Sequence, residues 1–549
     1  MSGCSLLSPP SSQARTVLTD EIQTLDPARA QDPVSMELIP SLYETLYEVD
    51  YASDEYRVKP LLAADWPKFS TDGLIATVRL RSDVVFPDSP VFPGGKGRSL
   101  GAADVADSLK RIAWPQLQSP GWSYLRDRIV GLKDYRTGVQ TTAQYASKVQ
   151  GLEVVDSHTL RIHLLEPTPH LAWLLAQTWA SVIPHESVTA SGDEFGSPMG
   201  VAPGTGAFLV DYWVRAKKLR MVKNKQRRME VFPSEFSTAL RAQGFMAEHG
   251  RTLPFLDQVE FYFHPSLLKA WEEFREGRLD WVKLPVTHLG EVVTPKFDRL
   301  LPEWESKKYG LARTLGEKSD FIVFNFGDER LADRALRQAL SYGINRKGWL
   351  ERAAGGFGRE LDPKRPTKLS PTAVAPKWKS GISAEMELTM DMPSSDPTAL
   401  MIGEYLRDEW LKIGVRVNVL YNSFEEYRKK LREGRYQLAY VIWTSELPDP
   451  EDRLQLFYGR NSEDRTNFSG WRSPRFDSDF ESARKLKIES PERRRKMQSL
   501  DALLDEELVR IVGITRYEVV LLSPKLRNYR PGELFRNRYR FLRLSQSLD

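Results

Sequence analysis

From about residue 257 onward the sequence alternates short apolar, β-branched runs with amphipathic stretches, and this alternation constrains the fold more than any other feature. Val259-Glu260-Phe261-Tyr262-Phe263 reads as a strand and 266–276 as the helix after it. The same pair recurs at 321–325 with 333–342, at 387–390 with 398–412, and at 415–420 with 424–433, ahead of a strand over 436–443. A pattern that keeps switching between a period of two and a period of 3.6 is βαβ order, which calls for a mixed sheet with helices packed against it. Helices are expected again at 476–488 and 491–508, and strands at 511–522.

Upstream of residue 257 the pattern is strand-rich, with strands expected at 16–18, 77–81, 84–86, 152–155, 159–164, 208–212 and 218–222. An amphipathic helix over 102–113 puts Val105, Leu109 and Ile112 on one face. The uncharged run 167–185 holds Pro167, Pro169, His170, Gln177, Thr178 and Pro184, which suit hydrocarbon poorly. It reads as a core helix over 171–182 stopped by Pro184, so no transmembrane helix is expected.

At 549 residues the chain has room for two to four domain-sized units. With 41% hydrophobic and 28% charged residues it is not a largely disordered chain. Lys and Arg number 78 against 74 Asp and Glu, a net charge of +4, which argues against nucleic acid as the partner. Two basic runs fit that reading. Arg493-Arg494-Arg495-Lys496 shares its helix with Glu492, Asp501 and Asp505 and reads as a solvated face; 536–543 reads as a strand whose arginines snorkel at the surface.

The single cysteine, Cys4, rules out an intramolecular disulfide or a CxxC site. Neither a P-loop, a dinucleotide-binding glycine fingerprint, a nucleophile elbow nor an HExxH pair is present; Gly94-Gly95-Lys96-Gly97-Arg98-Ser99 lacks the spacing of a phosphate cradle. The seven histidines have no metal-ligand spacing, and His158 and His163 stand at an odd separation that faces them to opposite sides of a strand. No catalytic residue, metal or cofactor is expected, and the chain is read as a non-enzyme.

One ordered set of short segments carries a resemblance. It runs through Thr24-Leu25-Asp26-Pro27, Leu42-Tyr43-Glu44-Thr45-Leu46, Leu61-Leu62-Ala63-Ala64-Asp65-Trp66 and Ser99-Leu100-Gly101-Ala102-Ala103-Asp104-Val105. It continues through Pro203-Gly204-Thr205-Gly206-Ala207-Phe208, Trp271-Glu272-Glu273-Phe274, Leu336-Arg337-Gln338-Ala339-Leu340, Ile413-Gly414-Val415 and the stretch from Trp443 to Pro450. In this order, over nearly the whole chain, the set resembles the dipeptide- and oligopeptide-binding proteins of bacterial ABC importers, extracellular solute-binding protein family 5.

The resemblance implies an α/β chain with the two-lobed periplasmic-binding-protein fold (type II, cluster C) and an extra domain packed on the first lobe. The expected division is a tether over 1–16, a first lobe over 17–50, 198–262 and 515–549, the extra domain over 51–197, and a distal lobe over 263–514. The implied function is the substrate-binding component of an ABC importer that captures a short peptide between two lobes and delivers it to permease subunits, as a monomer. A non-peptide solute such as an oligosaccharide or metal chelate is the alternative, and a hydrolase or chaperone-like role a more distant one.

In peptide-binding relatives a Trp ends a strand near residue 443 and an Asp three residues on pairs with the peptide α-ammonium. Trp443 matches, Glu446 stands where that Asp is expected, and Asp449 is the substitute acid; these three are the candidate ligand-binding residues. The competing reading of Glu446 is a solvated loop carboxylate. Gly204 and Gly206 are expected to serve a sharp turn, and Asp26 and Asp104 local turns or caps. Gly3-Cys4 resembles the end of a lipoprotein signal, which implies lipidation at Cys4 and a periplasmic or cell-surface location; the alternative is a free thiol. With no apolar segment upstream of Cys4, the chain as written is expected to stay soluble.

Overall fold

The structure, a computed structural model, describes residues 12–139, 147–294, 296, 298–361 and 387–545. Cys4 lies outside them. The chain divides into two compact units. One runs to Pro285 and also takes Leu300–Ala312 and everything from Val519; the other comprises Val286–Arg299 and Arg313–Glu518. Two long strands, Gly310–Phe324 and Arg510–Leu522, begin in one unit and end in the other, so the chain passes between units along them.

The first unit is built on a four-stranded sheet in the order Gln13–Leu18, Gln258–Phe263, Lys218–Lys223, Phe208–Val214. The first pair is parallel and the rest antiparallel. Alternation along each strand sends Ala14, Val259, Phe261, Leu219, Met221 and Trp213 to one face, where they meet Leu38, Ile39 and Leu42 of the helix Pro33–Leu42. The other face is polar: Lys218 pairs with Glu260 at 2.7 Å and lies over the Tyr262 ring.

Asp32 caps the helix Pro33–Leu42 by accepting from the Ser35 N–H at 2.8 Å, and Pro33 opens its first turn. A second, antiparallel sheet of the same unit joins Lys68–Phe69, Ile75–Arg79, Thr159–His163 and Leu152–Asp156. Helix Ala102–Arg111 packs on it with Val105 and Leu109 buried, and Asp104 accepts from the Gly101 N–H at its start.

The expected core helix over 171–182 is interrupted. Leu171–Leu174 is one helical turn and Thr178–Ala180 a separate 3-10 turn. All of the run except Ala176 is buried; the Gln177 side chain turns back to donate to the Trp173 carbonyl, and the Val182 N–H donates to the Glu44 carbonyl of a distant segment.

In the second unit the βαβ order holds. Glu387–Met392 runs parallel to both Arg416–Tyr421 and Leu438–Thr444, with helices Pro397–Lys412 and Phe424–Glu433 as the crossovers. Leu438–Thr444 then pairs antiparallel with Gly310–Phe324. Asp396 and Ser423 cap the two crossover helices, and Gly434 ends the second with φ of 68°. On one sheet face Phe321, Val323, Ala439 and Val441 form a core with Phe476, Phe480, Met497 and Leu500 from helices Pro474–Arg484 and Pro491–Glu506.

Candidate functional site

The strand Leu438–Thr444 delivers Trp443 to the point where the chain enters the segment 445–454. Val441 and Trp443 face the core, and Ile442 between them points the opposite way, 42% exposed. The Trp443 indole Nε1 donates to Asp452 Oδ2 at 2.6 Å, a short bond to a charged acceptor that ties the strand end to the helix Glu451–Leu454. Glu446 is buried, with 8% of its surface exposed.

Asp449 is equally buried, and its carboxylate faces Arg493. Oδ2 accepts from Arg493 Nε at 2.9 Å, and Oδ1 from Arg493 Nη2 and the Glu451 N–H, each at 2.9 Å. Arg493 Nη2 also donates to Glu451 Oε2 at 2.6 Å, and its Nη1 to the carbonyls of Ala483 and Leu486. All five guanidinium N–H groups therefore have acceptors. The basic run read as a solvated face thus splits: Arg493 is fully buried, while Arg494 and Arg495 are exposed. Burial opposes its charge, but Asp449 and Glu451 more than compensate and hold it firmly protonated.

Beside this cluster, Arg453 and Arg510 converge on Asp501 at 2.6 and 2.7 Å. Burial alone would raise the Asp501 pKa, yet the two arginines bring it below the usual carboxylate range. Four carboxylates between 446 and 452 (Glu446, Asp449, Glu451 and Asp452) thus lie under one short segment, each no more than 8% exposed. The structure brings Trp443 to Asp452 and commits Asp449 to Arg493. Sequence spacing did not indicate either link: Arg493 comes from a helix 44 residues on, and Asp452 is brought back to Trp443 by the irregular segment that separates them.

The other basic run also differs from its expectation. Tyr539–Phe541 is a 3-10 turn rather than a strand, and Arg538 and Arg540 are buried at 5% and 0% exposure. Arg540 donates to both oxygens of Glu48, at 2.7 and 2.8 Å. Asp26 accepts from the Ala28 N–H as a turn residue does, and also takes a two-point ion pair from buried Arg111 at 2.7 Å. Gly204 and Gly206 lie against Leu42 and Ser41 backbone so closely that a Cβ at either would collide with it. Neither has a positive φ, so close approach, rather than a sharp turn, is what requires glycine there.

Asp104, His185 and Glu186 bring one ligand-type atom each within 4.8 Å of one another, a grouping whose ends stand 82 positions apart in sequence (186 − 104) and which has no spacing signature. Arg98 fills it: its guanidinium bonds both Asp104 oxygens at 2.8 and 2.6 Å and both Glu186 oxygens at 2.7 Å. The cluster is an ion-paired clamp. A small depression in the first unit, lined by Leu18, Asp20, Ile22, Trp213 and Lys218 among others, has a cavity volume of about 10 Å³, far below the ~300–1,000 Å³ of ordinary ligand pockets.

The family model described as "Bacterial extracellular solute-binding proteins, family 5 Middle" matches residues 57–464, and the chain belongs to that family. It is similar to the "Dipeptide-binding protein" of Escherichia coli, 23% identical over 81% of this chain and 78% of the relative. It is also similar to the "Probable deoxycholate-binding periplasmic protein YgiS" of Escherichia coli, 21% identical over 91% of this chain and 87% of the relative. Among solved structures, the periplasmic binding protein DppA from Helicobacter pylori in complex with peptide STSA superposes with a TM-score of 0.77 at 18% identity, covering 97% of this chain and 98% of that one. The fold is therefore the α/β solute-binding-protein fold that the sequence resemblance implies. Among the described residues, no helix is long and apolar enough to cross a membrane.

Proposed function

We propose that the protein is the substrate-binding component of an ABC importer and that its ligand is a short peptide with a free α-amino group. The observation that carries this reading is the family match over 57–464, supported by the dipeptide-binding relative and the peptide-bound neighbour of the same fold. Glu446 is the proposed ammonium partner, placed three residues after Trp443 in a segment rich in buried carboxylates. Asp449 is retained only as the substitute acid, since its carboxylate is already engaged by Arg493. Delivery to permease subunits, action as a monomer without catalysis, lipidation at Cys4 and the division into first lobe, extra domain and distal lobe belong to the same proposal.

Native mass spectrometry of the purified protein tests ligand class directly: a family of peptide masses is expected. Calorimetry then tests the site. Glu446→Gln keeps shape and removes charge, and should weaken peptide binding by roughly 10- to 1000-fold, the range for a desolvated charge-assisted contact. N-acetylation of the peptide should weaken wild-type binding comparably and add little in the variant. Silence of both changes removes the ammonium assignment. Intact peptide after long incubation is expected; its loss would favour a hydrolase. The second reading is a non-peptide solute, favoured by the relative named for deoxycholate, and a single non-peptide mass would establish it.

A further inference from the structure

Methionine is ordinarily a buried residue, and Met221, Met390, Met392 and Met497 follow that rule at 0–1% exposure. Met199 and Met229 do not: they are 87% and 79% exposed. Neither exposure reflects a loose backbone. The Met199 N–H donates to Ser197 Oγ at 3.2 Å, and its loop is closed by Gly200 N–H to the Ser197 carbonyl and Gly196 N–H to the Gly200 carbonyl. Met229 is flanked by Arg227 and Arg228, both ion-paired to Glu44 at 2.7 Å, and by Glu230, which meets Arg227 at 2.7 Å and Arg540 at 3.1 Å. Its backbone is thus pinned on both sides by ion-paired charges while its thioether projects into water.

We propose that Met199 and Met229 are modification sites for peroxide-class oxidants, sacrificial thioethers that take up oxygen without loss of the fold. The sulfur lone pair attacks one peroxide oxygen. An S–O bond forms as the O–O bond breaks, and the departing hydroxide takes the proton still carried by the transferred oxygen, leaving the sulfoxide and one water. Sulfur is oxidised by two electrons and the peroxide reduced by two. Because the sulfoxide at either position stays in solvent, its added polarity buries nothing, whereas at Met221 or Met497 it would enter a packed core.

The test is graded hydrogen peroxide treatment of the folded protein, followed by peptide mass mapping and thermal melts. Met199 and Met229 should each gain one oxygen about tenfold or more faster than Met221, Met390, Met392 and Met497, and Tm should hold within about 1 °C when both are fully converted. In guanidinium the preference should disappear, because exposure rather than neighbouring sequence creates it. The double variant Met199→Leu/Met229→Leu should lose the two fast oxygen increments. Comparable rates at the buried methionines, a preference that persists in the unfolded chain, or a falling Tm would each overturn the proposal.

Discussion

Replacing Arg493 with methionine should destabilise the second unit far more than the loss of any neighbouring arginine. The side chain is fully buried and makes five hydrogen bonds, three of them to Asp449 and Glu451, whose side chains are 4% and 2% exposed. Methionine fills most of the volume but strands two carboxylates and two carbonyls in a medium of low dielectric. Breaking a buried pair from one side costs about 3–5 kcal/mol. For a unit of this size each kcal/mol shifts Tm by about 2–4 °C, so the expected drop is roughly 6–20 °C.

Differential scanning calorimetry reads the shift, and Arg494→Met, on the exposed side of the same helix, is the control, expected within about 0.5 kcal/mol of wild type. Adding Asp449→Asn and Glu451→Gln to Arg493→Met should recover more than half of the loss, because the stranded charges are then gone. That combination also keeps the test decisive if the single variant does not fold. An Arg493→Met protein as stable as Arg494→Met, or a triple variant no better than the single one, would refute the argument that this arginine is held by buried charge.

Two buried carboxylates of the first unit should give opposite pH signatures. Burial pushes Asp32 up to about 6, so between about pH 4 and 6 the folded state binds more protons than the unfolded one and stability falls as pH rises. Asp32→Asn keeps the helix cap and should stabilise by up to about 3 kcal/mol above pH 6, the gain fading below pH 4 in urea titrations run across that range. For Glu44, burial is outweighed by Arg227 and Arg228, which draw the pKa down to about 2. Its contribution is complete above about pH 4.5 and is lost as pH falls toward 2; Glu44→Gln should cost about 3 kcal/mol at pH 7, with the wild-type advantage shrinking in acid. Ala216, exposed between strands Phe208–Val214 and Lys218–Lys223, holds φ of 52°, so Ala216→Gly should raise stability by about 0.5–1 kcal/mol, measured as a shift of urea midpoint at constant m.

The second unit was largely legible from periodicity. The helix read at 424–433 is Phe424–Glu433, and that read at 398–412 is Pro397–Lys412, because strong amphipathic spacing coincides with Ser423 and Asp396 as caps and Gly434 as a stop. The run 171–182 misled for the opposite reason. With every residue apolar or uncharged it has no polar face to define a period, and contacts with distant segments such as Glu44 decided its path.

The charged residues divide along the same line. Alternation of apolar and polar residues, a local property with periods set by backbone geometry, determined the mixed α/β class and the end of the strand that carries Trp443. It also placed Glu446 and Asp449 on the segment just beyond. Only tertiary structure decided which charges are buried. Arg493, Arg494 and Arg495 are chemically identical neighbours, yet the first alone meets Asp449 and Glu451, 44 and 42 residues away, while Arg540 reaches back 492 residues to Glu48. A local pattern says that a side chain carries charge and on which side of a helix or strand it stands. Whether that side meets water or a carboxylate from another part of the chain depends on packing that brings distant segments together, and no spacing along the sequence encodes it.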